Sequence, residues 1–425
     1  MSMTSRVLLG LALGAATGLL LAMMNPTLAA QVASIVQPIG RLWLNALQMT
    51  VVPLVLALVI IGVNTASDAA ASGRIAQRAI VVFILLLSIG AAFAVIVAPA
   101  LLSLLPRDPA LVASLRSASG AAAVHPTAPA LSDWFSAVVP SNAIAAAAAS
   151  AMLPLVVFAL FFGFALTRID AGRRARIVDF FQAIADTMIV IVRWVLWAAP
   201  LGVFALVLVV CATAGFSMLS ALGYYILLQC SLYIAVTLML YVVAVVFGRE
   251  SLRRFAAAIL PAQVIAASTQ SSLASMPAMI DSAQTRLGYS REVTALVLPM
   301  AVSLFRMTSP VQYLNAAAFI AWAYGIDVSA THLAAAAALA VVISLGSVGL
   351  PGQVSFMATT MPVAQSMNLP LEPLGILLAV DTIPDVFATV GNVTGDLTAT
   401  AVVERQSRAV EVSDERRARS ARADG

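Results

Sequence analysis

The chain has 425 residues, of which 62% are hydrophobic and only 10% charged, and its mean hydropathy is +1.01. A soluble domain carries about 25% charged residues, so a soluble enzyme or binding module is excluded and the sequence reads as a polytopic membrane protein. The net charge of +4 arises from 23 basic residues, all arginine and mostly in short loops between apolar runs, so no nucleic-acid partner is expected.

Apolar spans read, in order, 6–24, 37–63, 79–105, 137–167, 177–211 and 218–247. Residues 6–24 are long enough to cross a bilayer and end in no convincing cleavage site, so they are read as a first helix rather than a signal peptide. Residues 105–136, rich in Ala, Ser and Pro, read as an outside loop. Cys211 and Cys230 lie in or beside apolar segments, far from any metal-like cluster. His125 and His332 read as interfacial residues. Neither a disulfide framework nor a zinc site is expected.

After residue 250 the pattern changes. Residues 251–285 are less apolar and carry a polar centre, residues 289–323 form another span, 329–370 hold two apolar runs parted by SLGSVGLPG, and 371–403 are the last span. Arginines at 6, 74, 78, 168, 173, 174, 176, 249, 253 and 254 fall at alternate loops, as does the arginine-rich tail. The positive-inside rule then places both termini in the cytoplasm, which requires an even number of crossings. Eight long spans satisfy this. The two remaining segments must enter and leave on one side. Residues 251–285 read as a hairpin dipping in from the cytoplasm with its tip at 268–272, and 329–370 as a second hairpin from outside with its tip at 344–352. Irregular backbone at membrane depth is tolerated only where it lines a cavity, and two such tips from opposite sides mark an inverted-repeat transporter. The tail, 405–425, reads as a disordered cytoplasmic end that anionic lipid would attract.

The last span carries the strongest signal. Asp381, Asp385, Asn392 and Asp396 are spaced by four, seven and four and fall within an arc of roughly 80° on one helix face, with Ala388 on the same stripe. Ile383, Val386, Val390, Val393 and Leu397 occupy the other face. A central Asp costs about 2.5 to 3.5 kcal/mol to insert, so such a stripe must face a bundle interior, a cation or a water-filled path. An intramembrane enzyme is set aside. Asp381 and Asp385, four apart on one helix, are poorly placed to share a proton across a substrate, and no Ser–His or HExxH constellation appears.

The chain resembles the dicarboxylate/amino acid:cation symporter family, the glutamate transporter homologues, over nearly its whole length. IGRLWLNALQMTVVPLVLALVIIGV at 39–63 is similar to the family's second helix, and 139–166 to its fourth. SLGSVGLPG and NVTGD at 392–396 are the most specific matches. A member of this fold is among the standard examples of inverted-repeat transporters. The resemblance implies an all-α protein with eight transmembrane helices, two re-entrant helical hairpins, inverted repeats and an elevator mechanism. Residues 1–404 would form one membrane domain. Its scaffold helices would be at about 6–63 and 137–211, and its transport-domain helices at about 79–105 and 218–403 with both hairpins. It also implies a homotrimer in a bacterial inner membrane, contacting lipid, with a small-molecule substrate and Na+ or H+ as coupling ion and no other cofactor.

Carried over by position, Asp385 corresponds to the aspartate that holds a substrate amino group and Thr389 to a substrate-contacting threonine. Ser271 and Ser272 correspond to the first hairpin tip, whose backbone holds a substrate carboxylate. Asn392 and Asp396 correspond to a sodium-binding pair. Ser344 and Ser347 belong to the second hairpin, with Gly349 in its gate, and Ser303 joins Ser347 in a further cation site. The departures are specific. The arginine that binds an acidic side chain is replaced by Ala388, and its alternative place by Gln270. The unwound seventh helix, Asn-Met-Asp-Gly-Thr in the family, reads Phe305-Arg306-Met307-Thr308-Ser309 here, so two cation ligands are lost. Arg306 then has two open roles. It either binds a substrate carboxylate or stands in for a lost sodium ion and neutralises Asp396; the second is favoured because the charge appears where the ligands vanish. The function implied is symport of a small amino acid or dicarboxylate; the alternative is a substrate-gated anion channel or uncoupled exchanger of the same fold.

Overall fold

The structure, a computed structural model, describes residues 3–71, 73–106, 112, 138–346 and 352–423. Every regular element among them is helical, with no strand. In chain order these are α1 (Met3–Met24), α2 (Pro26–Ala71), α3 (Arg74–Ser103), α4 (Ala143–Ala148), α5 (Met152–Leu166), α6 (Ala171–Trp197), α7 (Ala199–Ala214), α8 (Phe216–Val246), α9 (Leu252–Thr269), α10 (Ser272–Asp281) with a π-helical turn at Ser282–Arg286, α11 (Arg291–Leu304), α12 (Ser309–Tyr324), α13 (Ala330–Gly346), α14 (Gly352–Ser366), α15 (Glu372–Val380) and α16 (Thr382–Ala423). Among the described residues six helices are long and apolar enough to cross a membrane, and a bent helix pair adds a seventh.

Four of the expected spans are interrupted, 289–323 between α11 and α12, 371–403 between α15 and α16, and two earlier ones. The run at 177–211 is two helices, α6 and α7, bent by 59°. Pro200 in the first turn of α7 lacks the N–H that a continuous helix would use and disfavours helical backbone just before it. The run at 137–167 contains the six-residue α4 and the 15-residue α5, with Ser150 between them at φ 52. The tail also differs from expectation. α16 continues to Ala423 where disorder was anticipated, and its Ala-, Arg- and Glu-rich sequence has high intrinsic helix propensity.

The chain divides into two compact units. The first comprises Met1–Asn64, Ala91–Leu232 and Ser309–Asp385. Here α1 packs along α7 through glycines at every fourth position. A Cβ at Gly14 or Gly18 would come within 2.6 Å of the Phe204 or Leu208 carbonyl, and one at Gly10 would collide with that of Pro200. Small residues at this spacing let two membrane helices meet at the backbone. Trp43 of α2 anchors to α6 by donating from Nε1 to the Val195 carbonyl at 3.0 Å. Arg174 donates from Nε to Asn64 Oδ1 at 2.8 Å, tying the start of α6 to the far end of α2.

The second unit comprises Thr65–Gly90, Tyr233–Thr308 and Val386–Gly425. Its core joins Phe255, Ile259, Ala262 and Ala266 of α9 to Met279 of α10 and to Val393, Leu397 and Ala401 of α16. Of the apolar face expected for the last span, Val390, Val393 and Leu397 are packed with the first hairpin, whereas Ile383 is 47% exposed. Gln263 bridges the same contact, donating to Thr394 Oγ1 at 2.8 Å.

Candidate functional site

In the second unit the site is built around a broken helix. α11 stops at Leu304, and Phe305 is extended, at φ −129 and ψ 94. Pro310 explains the break. A continuous helix would need its N–H to reach the Arg306 carbonyl, and the proline ring would collide with that oxygen.

Thr308, in the break, is held by α16. Its backbone N–H donates to Asn392 Oδ1 at 3.0 Å. Its hydroxyl lies 3.0 Å from the same oxygen and 3.3 Å from the Ala388 carbonyl. A Cβ at Gly391 would stand 2.6 Å from Thr308 Cγ2, so only glycine permits this approach.

Phe305 and Met307, the residues on either side of Arg306, are buried and packed. Phe305 stacks on Phe83 of α3 at 4.8 Å between ring centres. A Cβ at Gly90 would lie 2.9 Å from Met307 Cε, and one at Gly395 3.0 Å from Met307 Cβ and 3.2 Å from Phe305 Cε1. Apolar groups thus fill space in which a cation would need oxygen.

Asp396 follows Gly395 directly and is 1% exposed. Neither of its carboxylate oxygens has a hydrogen-bond partner among the described residues. Arg306 is half-buried in the break and makes no hydrogen bond to Asp396. Thr389 and Asn392 are buried on the same helix, and Ser303 is half-buried near the end of α11. Arg306, Asn392 and Asp396 therefore belong to one unit and one break.

The first hairpin lies in the same unit. α9 and α10 pack together and are joined at Gln270, in left-handed backbone at φ 51 and ψ 35, and Ser271. The connection falls inside the expected tip. Ser271 caps α10 by accepting the Ala274 N–H at 3.2 Å. The earlier N–H groups of α10, from Ser272 on, give the tip a positive dipole end.

The remaining expected residues lie in the first unit. Asp381, 6% exposed, stands between α15 and α16 and accepts from Gln312 Nε2 at 2.8 and 3.0 Å. Asp385 is half-buried in the first turn of α16. Ser344 is buried, with its hydroxyl donating to the Ala340 carbonyl at 2.7 Å. Ser347 and Gly349 lie outside the described residues. Sequence reasoning missed Thr308 and Gln312. Both are polar residues in an apolar span, and that was the available signal.

Nearly the whole chain, residues 3–406, matches the Sodium:dicarboxylate symporter family. The protein belongs to that family. It is similar to the Proton/glutamate-aspartate symporter of Escherichia coli (strain K12), 29% identical over 380 residues, covering 88% of this chain and 86% of the relative. The Proton/sodium-glutamate symport protein of Bacillus caldotenax is 26% identical over 411 residues, with 94% and 93% covered. The Neutral amino acid transporter B(0) of Bos taurus is 28% identical over 392 residues, with 84% and 71% covered. Membership makes the chain a membrane transport protein of the symporter class rather than an enzyme.

Proposed function

We propose that this chain is a secondary active symporter of a small amino acid or dicarboxylate, coupled to sodium or protons by an elevator mechanism. The observation that carries the reading is Asp396, a fully buried carboxylate with no hydrogen-bond partner among the described residues, beside a broken membrane helix. A carboxylate held this way needs a compensating positive charge. Arg306, which makes no hydrogen bond to the carboxylate, supplies part of that charge, and a coupling cation that boards and leaves with the solute supplies the rest.

In this reading Asp385 receives a substrate amino group, with Thr389 beside it. The tip at Ser271 and Ser272 holds a carboxylate through N–H groups at the start of α10. The resemblance assigns cation binding to Asn392, Ser303, Ser344, Ser347 and Asp396, and the gate to Gly349. Sodium at Asn392 would have to draw its amide oxygen away from Thr308, which already donates to it. Arg306 keeps both roles, with the stand-in role favoured because apolar Phe305 and Met307 flank it in place of oxygen ligands. The scaffold, transport domain, trimer, eight crossings, cytoplasmic termini and inner-membrane location follow from the same reading.

Uptake into proteoliposomes tests it, using a panel of amino acids and dicarboxylates with sodium and proton gradients imposed separately. Saturable accumulation driven by one gradient, and stimulated by substrate on the far side, is expected. Non-saturating flux without that stimulation would mean a channel, and exchange without accumulation an uncoupled exchanger.

A further inference from the structure

Away from the broken helix, the second unit holds a cavity of about 450 Å³. It is formed by the link between α8 and α9, the loop before α11 and the α16 segment around Glu404. Four arginines line it, Arg249, Arg254, Arg405 and Arg408, against two glutamates, Glu250 and Glu404. The glutamates are already engaged. Glu404 is buried and paired with Arg408 Nε at 2.6 Å and accepts from Ser290 at 2.9 Å. Glu250 accepts from the Tyr289 hydroxyl at 3.1 Å. The positive charge is therefore in excess.

Three of the guanidinium groups are each pinned to a backbone carbonyl. Arg254 Nη2 donates to the Leu287 carbonyl at 2.8 Å, Arg405 Nη1 to that of Phe247 at 2.8 Å, and Arg408 Nη2 to that of Gly288 at 2.6 Å. A guanidinium carries five N–H donors, so each retains others, already oriented.

Arg249 is different. It makes no hydrogen bond or ion pair with the described residues and sits at φ 58, in the left-handed turn that follows α8. Glycine is the usual residue at such a helix end. An arginine there meets a conformational cost that no internal contact returns. The long α9 also begins at this cavity, capped by Ser251, which accepts the Arg254 N–H at 3.3 Å. Its first free N–H groups add positive potential.

We propose that this cavity binds the phosphate group of an anionic phospholipid. Guanidinium forks match phosphate oxygens in pairs. Two neighbours identify the lipid as the source of that phosphate. Phe247 and Leu252, on either side of Arg249 and Glu250, expose 59% and 57% of their surface. Apolar side chains flanking a basic link suit the boundary between acyl chains and headgroups.

The test compares wild type with Arg249→Gln and Arg249→Gln/Arg254→Gln in phosphatidylglycerol nanodiscs, phosphatidylcholine nanodiscs, and detergent with inorganic phosphate. Native mass spectrometry of the released protein counts retained lipid, and thermal unfolding reports protection. Wild type retains phosphatidylglycerol in preference to phosphatidylcholine. Arg249→Gln weakens retention about tenfold, the loss of one charge-assisted contact, and the double variant abolishes the preference. Arg173→Gln, which removes an equal charge from the other unit, leaves it intact. Arg249→Gly relieves the backbone and does not lower the unfolding midpoint in detergent, yet weakens lipid retention as Arg249→Gln does. Equal retention by wild type and the double variant, equal loss in Arg173→Gln, or equal protection by inorganic phosphate overturns the proposal. Lipid retention needs no transport, so this result stands apart from the uptake assay.

Discussion

Thr308 and Asn392 are joined by two polar contacts at the break. The Thr308 N–H donates to Asn392 Oδ1 at 3.0 Å, and the hydroxyl lies equally close to that oxygen. The oxygen that family resemblance assigns to a cation is spent on the protein's own backbone. This contact also gives a rank order of variants. Thr308→Val removes one neutral hydrogen bond and keeps the N–H contact, at a cost of about 1 kcal/mol. Asn392→Ala leaves a buried backbone N–H unsatisfied, at a cost of about 1 to 3 kcal/mol. Thermal unfolding in detergent should place Asn392→Ala below Thr308→Val, and the reverse order would show that the amide oxygen is not what holds the break.

Asp396→Asn keeps the side-chain shape and removes the charge. In the proposed cycle the carboxamide no longer requires a boarding cation. Concentrative uptake should be lost, as expected when the charged partner of a coupling cation is removed. Exchange of labelled for unlabelled solute should persist, and the unfolding midpoint should not drop. Counterflow in proteoliposomes separates the two activities. Loss of both together would assign Asp396 a structural or substrate-binding role instead.

Met307 tests whether the apolar filling decides ion use. Met307→Asp places a second carboxylate beside Gly90 and Gly395, in space now packed by thioether. Without a cation the variant should lose several kcal/mol, the penalty for burying an unpaired charge. Sodium should restore much of it, because the pair would then resemble an oxygen site for a hard cation. The measurement is the unfolding midpoint in sodium against choline. Equal midpoints in both salts would show that other positions control ion choice.

How far these features were legible depends on what made them improbable. Acidic residues in an apolar span are rare enough that the stripe on the last helix, with its buried Asn392 and Asp396, could be read directly. Pro310 marked the break because proline cannot donate. The first hairpin tip was placed within a residue or two because a short polar run interrupts apolar helices there. What escaped depends on tertiary partners. Nothing local says that Gln312 would serve Asp381, or that Thr308 would take the Asn392 oxygen. The 59° bend before Pro200 was hidden because the apolar run continues on both sides of it.

The glycines of α1 give the last prediction. Gly10, Gly14 and Gly18 face the α7 backbone, and a Cβ at Gly14 would stand 2.6 Å from the Phe204 carbonyl and 3.2 Å from its Cα. Those are backbone atoms, so no side chain can swing away. Helices must part instead, and dispersion contacts along the seam weaken together. Gly14→Ala should therefore destabilise by about 1 to 3 kcal/mol, the range for overpacking a close contact. Gly223→Ala in α8 is the matched control, since a Cβ there meets nothing within 4 Å. Alanine also has the better helix propensity, so this change should be neutral or stabilising by about 0.5 to 1 kcal/mol. Unfolding midpoints of the two variants in one detergent decide the matter, and equal effects would mean that the α1–α7 seam yields easily.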